Sequence, residues 1–183
     1  MKKILAILLT LVMITVSLAG CGRGSNTDEN GGTPDGGTKV EQVLRWNLGA
    51  EPKTIDPQLN SANDGGHVIN NTFEGLYREI NGELVPAMAE RHEVSDDLIT
   101  YTFYLRDAKW SDGKPVTAHD FEFAWKRALD PNLASEYAQQ LFYIKGAQEY
   151  YEGNGSRDDV AVRALDDKTL QVELIAPTAY FLD

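Results

Sequence analysis

Apolar residues alternate with polar ones in several short stretches of this chain, and in other stretches they recur at helical spacing. Tyr101, Phe103 and Leu105 alternate with more polar neighbours, a period of two that predicts a strand with one buried face. Similar patterns predict strands over 43–48, 91–95, 100–106, 160–165 and 169–175, and a hairpin turn at Asn81-Gly82. Strands with intervening helices indicate an α+β (mixed α/β) fold.

The segment 105–131 carries the clearest helix signals. Asp112 and Gly113 favour a tight turn, and Thr117 with Asp120 three residues later predicts a helix start with a capping box. The apolar residues that follow recur every three to four positions and predict one buried helical face, formed by Phe121, Ala124, Trp125, Ala128 and Leu129. Pro131 ends this helix.

The remaining segments give weaker local signals. Two prolines within 51–57 predict a loop, and Gly65 and Gly66 allow another part of the backbone to approach closely. We also expect three short helical elements: a helix capped by Asp64 that runs to about Phe73, a turn over 87–90, and a helix from 136 to about 151 that Ser135 caps and that breaks near Gly146.

The first 21 residues have the pattern of an export signal. Lys2 and Lys3 precede an apolar stretch, 4–16, that is shorter than the about 20 residues of a membrane-spanning helix. We therefore predict that 1–20 is a signal peptide. Cys21 follows a small-residue cleavage site that is similar to a bacterial lipobox, so Cys21 is the expected site of lipidation. A plain signal peptide with an incidental cysteine stays open as the alternative.

The composition of the next segment and of the whole chain narrows the possible partners. After Cys21 there is no apolar side chain up to residue 39 except one proline, so 21–39 is expected to be the lipidated cysteine followed by a flexible linker. The formal net charge of the chain is −11, which argues against nucleic acid as a partner because phosphate binding needs a basic surface. A single cysteine excludes an intrachain disulfide.

The sequence offers no catalytic or metal-binding constellation. His67, His92 and His119 are far apart, and none has a second histidine or cysteine at ligand spacing. No nucleophile, phosphate-loop or zinc-protease motif is present, and the adjacent acidic pairs, such as Asp96-Asp97, lie where turns are predicted. We therefore expect no catalytic residue, no metal and no cofactor.

Several motifs resemble one known family when they are taken in order. Lys109-Trp110-Ser111-Asp112-Gly113 and the following stretch, 115–121, are similar to the signature segment of the oligopeptide-binding proteins of bacterial peptide ABC transporters, the family-5 extracellular solute-binding proteins. Further similar stretches are Glu51-Pro52 with Asp56-Pro57, 73–76, 86–90, 101–106, 134–138, 164–170 and 176–181.

The resemblance implies a class II periplasmic-binding-protein-like fold, of which this chain would be a part. In that family two lobes close on the ligand, and the first lobe carries an extra domain. We expect 40–73 to be the start of ligand-binding lobe I, 74–175 the extra α+β domain, and 176–183 the return to lobe I, where the chain stops. The second lobe would then lie outside this chain, and the chain alone would bind a ligand poorly.

The resemblance also implies two groups of ligand-binding residues. The loop Ser61, Ala62, Asn63 and Asp64 is similar to a segment that lines the cleft, and Tyr137 matches a tyrosine that approaches the ligand. Both have a simpler interpretation, as an exposed loop and as an aromatic residue on a helix surface.

The function that the resemblance implies is capture of oligopeptides for import by an ABC transporter, without catalysis. The expected partners are oligopeptides and the ABC permease subunits, with no nucleic acid, and the expected state is a monomer. The expected location is the cell membrane, through the lipid anchor, on the extracellular or periplasmic side. A nickel, haem or peptide-signal binder on the same fold remains an alternative, and a lipoprotein hydrolase is a more distant one.

Overall fold

The computed structural model describes residues 41–182. The predicted signal peptide (1–20), Cys21 and the linker 21–39 therefore lie outside the described residues. The helices and strands that it contains are α1 (Asn63–Thr72), β1 (Tyr77–Ile80), β2 (Glu83–Pro86), β3 (Ala89–Val94), β4 (Thr100–Leu105), α2 (Ala118–Ala128), α3 (Ala147–Tyr151), β5 (Val162–Asp166) and β6 (Thr169–Glu173), with short 3₁₀ helices at Ala138–Leu141 and Arg157–Asp159. The predicted mixture of helices and strands is confirmed.

Four of the strands form an antiparallel sheet in the order β3-β4-β6-β5. Its central pair, β4 and β6, aligns Tyr101 with Val172 and Phe103 with Leu170. The predicted alternation in β4 and β6 is confirmed, because every second residue of each strand is buried in the core. Helix α2 packs against β5 and β6 and covers this apolar face.

Strands β1 and β2 form a separate two-stranded hairpin whose turn is Asn81-Gly82. Both turn residues have positive φ angles, 56° for Asn81 and 83° for Gly82, as the favoured two-residue hairpin turn requires. The hairpin predicted at this position is therefore confirmed.

Helix α2 begins as its sequence predicts. The Asp120 carboxylate accepts hydrogen bonds from the Thr117 amide at 2.8 Å and from the Thr117 hydroxyl at 3.1 Å, within the expected capping box. One face of the helix carries an ion pair, in which the buried Lys126 lies 2.8 Å from the partly buried Glu122. The second oxygen of Glu122 accepts the Ala164 amide of β5 at 2.9 Å and so ties the helix to the sheet.

Two of the predicted elements are wrong because pairing within the sheet decides them. Residues 43–48 have no regular structure, since no described strand pairs with them and a strand needs a neighbour for its backbone hydrogen bonds. The helical turn predicted at 87–90 is absent because Ala89 starts strand β3, where it pairs with Leu105.

The helix predicted over 136–151 is also wrong as a single element. Ser135 caps no long helix, and only the short 3₁₀ helix and α3 form in this segment. The break near Gly146 is confirmed, since Gly146 precedes α3 with a φ angle of 79°. The physical reason is that the Lys145 amide donates to the Glu173 carbonyl at 3.0 Å, which ties this backbone to the end of β6 instead of to a helix.

Helix α1 starts two residues earlier than predicted, because its N-cap is Ala62 and not Asp64. Ala62 occupies the N-cap position, and Asp64 lies within the first turn. The Asp64 carboxylate accepts the amide of the next residue, Gly65, at 2.7 Å, so it is not the helix cap. Within residues 41–182, no helix is both long and apolar enough to cross a membrane.

The loop before α1 packs tightly against the first turn of that helix. A Cβ atom at Gly65 would lie 2.1 Å from Asn60 Oδ1 and 2.7 Å from the Thr54 carbonyl oxygen, which is closer than atoms approach without a clash. The predicted close approach is thus confirmed at Gly65. At Gly66 a Cβ atom would lie 3.7 Å from the nearest atom, which is an ordinary contact.

We expect Gly65→Ala and Gly66→Ala to change stability in opposite directions. Gly65→Ala forces the Asn60 side chain and the loop outward and lowers the free energy of unfolding by about 1–3 kcal/mol. Gly66→Ala, the matched control in the same helix, raises it by about 0.5–1 kcal/mol because alanine favours helix. Urea denaturation of both variants tests this, and equal effects would contradict the packing described.

Two further glycines share a backbone conformation but differ in how closely other atoms pack around them. Gly146 and Gly153 both have left-handed φ angles, 79° and 76°, but only Gly146 is crowded, since its Cβ would lie 2.4 Å from the Asp159 carbonyl oxygen. We expect Gly146→Ala to cost about 1–3 kcal/mol more than Gly153→Ala. Thermal unfolding of the two variants measures the difference, and identical melting temperatures would refute it.

Candidate ligand-binding pocket

A shallow pocket of about 280 Å³ lies where the loop before α1, the first turns of α1 and the segment after α2 meet. Its lining residues are Asn60, Ser61, Ala62, Asn63, Gly66, His67, Asn70 and Tyr137. The fold thus brings Tyr137 next to a loop that is more than 70 residues earlier in the sequence.

The pocket contains most of the site residues predicted from the sequence. Ser61, Ala62 and Asn63 line it together with Tyr137. Asp64 does not line it, because its partly buried carboxylate turns back to the Gly65 amide. The geometry brings these groups together, and their role in ligand binding stays a prediction.

Tyr137 owes its position to buried neighbours. Ser135 and Ala138 on either side of it are buried, and the Tyr137 carbonyl accepts the Gln140 amide at 3.0 Å in the first 3₁₀ turn. Ala134 takes a φ angle of 52°, which turns the chain before it enters this segment. The tyrosine side chain is left half exposed, with its ring available at the pocket wall.

The pocket is lined by neutral polar groups. Asn60, Asn63 and Asn70 each carry a carboxamide, which both donates and accepts hydrogen bonds, and Ser61 and Tyr137 add hydroxyl groups. No Asp, Glu, Lys or Arg is among the lining residues that the structure describes. Such a surface matches peptide groups, which also pair one donor with one acceptor, better than it matches a charged ligand.

Sequence reasoning missed four lining residues: Asn60, Gly66, His67 and Asn70. Helical spacing could have found three of them, because positions 63, 66, 67 and 70 fall on one side of a helix that starts near Asn63. His67 also packs on Trp46, with ring centroids 5.3 Å apart and planes tilted by 38°. Nothing in the local sequence identifies Asn60, which reaches the pocket through the fold of its loop.

An ion pair connects the loop before α1 to the end of α2. Arg127, at the end of α2, donates to both carboxylate oxygens of Asp56, at 2.7 and 3.1 Å, and also to Gln58. The hydrogen bond from Arg127 lowers the pKa of Asp56 below its ordinary value, and the Asp56 carboxylate raises the pKa of Arg127. The stability that this pair contributes is therefore present above the ordinary aspartate pKa and is lost as the pH falls through the lowered value.

The histidines have separate surroundings. The Tyr77 hydroxyl lies 2.6 Å from His92 Nδ1, and His119 lies 3.7 Å from Asp167. Among residues 41–182, no three His, Cys, Asp or Glu side chains are placed so that they could hold a metal ion. That the chain binds no metal stays a prediction.

A larger and mostly apolar cavity of about 430 Å³ lies on the inner side of the sheet. Aromatic side chains dominate its lining, among them Tyr77, Phe121, Trp125 and Phe181. Its polar groups are Glu79, Gln140 and the hydroxyls of three tyrosines, and none of the site residues predicted from the sequence lines this cavity. The smaller polar pocket is therefore the better candidate for ligand binding.

Comparison with known sequences gives consistent matches. The family of bacterial extracellular solute-binding proteins, family 5 (middle part), matches residues 83–183. The oligopeptide-binding protein OppA of Bacillus subtilis (strain 168) is 48% identical over 185 aligned residues, which cover 100% of this chain and 34% of that protein. The probable deoxycholate-binding periplasmic protein YgiS of Escherichia coli (strain K12) is 39% identical over 77% of this chain and 27% of its own length. The chain thus spans about a third of these relatives or less.

Comparison with solved structures agrees. The Haemophilus influenzae OppA complex with the peptide RPPGFSPFR superposes with a TM-score of 0.71 and 40% sequence identity, over 74% of this chain and 27% of that one. This likeness confirms the predicted class II periplasmic-binding fold, of which the chain forms a part. Because the family match covers more than half of the sequence, this chain belongs to the family-5 bacterial extracellular solute-binding proteins.

Proposed function

We propose that this chain is part of a protein that captures oligopeptides outside the cell and delivers them to the permease subunits of an ABC transporter. The observation that carries the proposal is the pocket itself, where Ser61, Ala62 and Asn63 meet Tyr137 across a neutral polar surface. Relatives named as oligopeptide-binding proteins support the ligand class.

The chemistry of the pocket fits a ligand that is recognised by its main chain. Carboxamides and hydroxyls can pair with the N–H and C=O groups that every peptide presents. No Asp, Glu, Lys or Arg is among the described lining residues, so the lining does not select acidic over basic peptide side chains. A receptor for peptides of varied sequence must accept acidic and basic side chains alike.

Capture in this proposal breaks no bond. Solute-binding proteins of two lobes hold a ligand by hinge closure, in which each lobe supplies one wall of the cleft. The pocket described is shallow, so it supplies one wall and leaves most of a bound peptide exposed. We therefore propose that the 183-residue chain alone binds peptides weakly.

Titration of the 183-residue chain with short peptides, followed by NMR, tests the peptide proposal. We expect weak, saturable shift changes confined to residues 60–70 and 137, of similar size for tri-alanine, tri-lysine and tri-glutamate. Tyr137→Ala should weaken binding about tenfold because one aromatic contact is lost. Tyr104→Ala, on the outer face of the sheet, is the matched control and should leave binding unchanged.

Other ligands and other chemistry are distinguished in the same titration. Saturation by deoxycholate, Ni²⁺ or haem with no response to peptides would overturn the peptide proposal in favour of that ligand. Mass spectrometry of the recovered peptides should show them intact. Cleavage would instead support the hydrolase alternative.

The location of the protein is a further part of the proposal. We propose that residues 1–20 direct export and that lipidated Cys21 anchors a monomer to the outer face of the cell membrane, with 21–39 as the tether. Two acyl chains on one cysteine suffice for stable attachment. This support comes from the sequence, since these residues lie outside the described range.

Cell fractionation tests the anchor. We expect the chain to sediment with membranes and to incorporate labelled palmitate, and Cys21→Ser to abolish the labelling and release the chain from the membrane fraction. Ser25→Ala, a nearby change in the linker, is the control and should have no effect. Membrane retention of unlabelled Cys21→Ser would contradict lipid anchoring at this residue.

A further inference from the structure

We infer that Arg127 is a positioning residue for the pocket, because through Asp56 it fixes the loop 58–63 that forms one of the pocket walls. Its importance for binding rests on the proposed function, but its effect on the loop does not. Arg127 itself is not among the pocket-lining residues.

The ion pair between Arg127 and Asp56 is bidentate. The two terminal nitrogens of Arg127 donate hydrogen bonds to the two carboxylate oxygens of Asp56, and one of these nitrogens also donates to Gln58. Such a bidentate pair fixes the orientation of both partners as well as their distance. Each side chain is 29% exposed, so water and salt screen the pair less than they screen a surface pair.

Hydrogen bonds link Asp56 to the pocket wall. The Asp56 carboxylate accepts the Gln58 amide at 3.0 Å, and its carbonyl accepts the Leu59 and Asn60 amides at 3.1 and 3.0 Å. The Asn60 side chain then donates to the Ala62 carbonyl at 2.9 Å, directly before α1. Asp56 is therefore the point from which the loop is built.

Burial of apolar side chains contributes little to holding the loop. Residues 51–62 contain no helix or strand, and their larger apolar side chains, Ile55 and Leu59, are exposed. Burial of apolar surface therefore does not define the loop conformation. Its order depends on hydrogen bonds, on the contact of Asn60 and Thr54 with Gly65, and on the ion pair of Asp56 with Arg127, which connects it to a distant element.

Arg127 lies at the end of a helix that is packed against the core. Its neighbours Ala128 and Leu129 are buried in the core, so the end of α2 is fixed against the sheet. A side chain on a packed helix holds its partner more accurately than one on a loop does. Arg127 thus transmits the position of the core to the pocket wall.

The neighbouring residue provides a matched control. Lys126 is also paired with a carboxylate, that of Glu122, at 2.8 Å, and its side chain is only 8% exposed. This pair lies within α2, and the hydrogen bonds described for its two side chains join them to each other and to Ala164 of β5, not to the loop 58–63. Loss of either pair removes one cation and one ion pair from the same helix, but only loss of the Arg127 pair releases the loop.

Amide hydrogen exchange of the 183-residue chain without ligand tests the inference. We expect Arg127→Gln and Asp56→Asn each to raise exchange over residues 58–66 at least tenfold, and the double variant to add nothing further. Arg127→Lys should restore part of the protection. Lys126→Gln should lower the melting temperature at least as much and leave exchange over 58–66 unchanged.

Two results would overturn the inference. One is normal protection over 58–66 in Arg127→Gln, and the other is an equal loss of protection in Lys126→Gln. Peptide titration then adds the functional consequence, since Arg127→Gln should weaken binding and Lys126→Gln should not. If the unaltered chain binds no peptide at all, the proposed function fails while the exchange result still decides whether Arg127 positions the loop.

Discussion

The pairing of β4 with β6 is the interaction on which the rest of this structure depends. It aligns Phe103 with Leu170 across the centre of the sheet, and both are fully buried. The chain between the two strands must leave the sheet and return, and α2 lies in that connection. Backbone bonds from Leu105 to Lys168 and from Ala118 to Asp167, at 2.8 and 2.9 Å, close it at its base. Strands β3 and β5 then pair on the two outer sides.

The candidate pocket follows from this core. Helix α2, fixed on the sheet, places Arg127 against Asp56, and the buried Ser135 and Ala138 place Tyr137. No wall of the pocket is part of the sheet, and the walls are the loop before α1, the first turns of α1 and the short segment that carries Tyr137. The scaffold is therefore set by apolar burial, whereas the pocket is set by a few polar contacts, which are more directional and easier to disturb.

The neutral polar lining of the pocket is consistent with the breadth of the family. Relatives at about 40% identity are named for ligands as different as oligopeptides and deoxycholate. The shared fold does not by itself choose among such ligands, because one fold supports many binding sites. The groups that line the candidate pocket in this chain are carboxamides, hydroxyls and one imidazole.

The sequence by itself determined the elements whose causes are local. The turn at Asn81-Gly82, the capping box of Thr117 and Asp120, and the alternation in β4 and β6 each depend on residues a few positions apart. Only the tertiary structure decided the features that depend on distant partners. Residues 43–48 remain irregular because no strand among residues 41–182 pairs with them. The helix predicted over 136–151 is interrupted where the Lys145 amide bonds to Glu173, and Asn60 reaches the pocket through a loop that Arg127 holds. Periodicity within a sequence carries no record of such contacts, because they join segments that are remote along the chain.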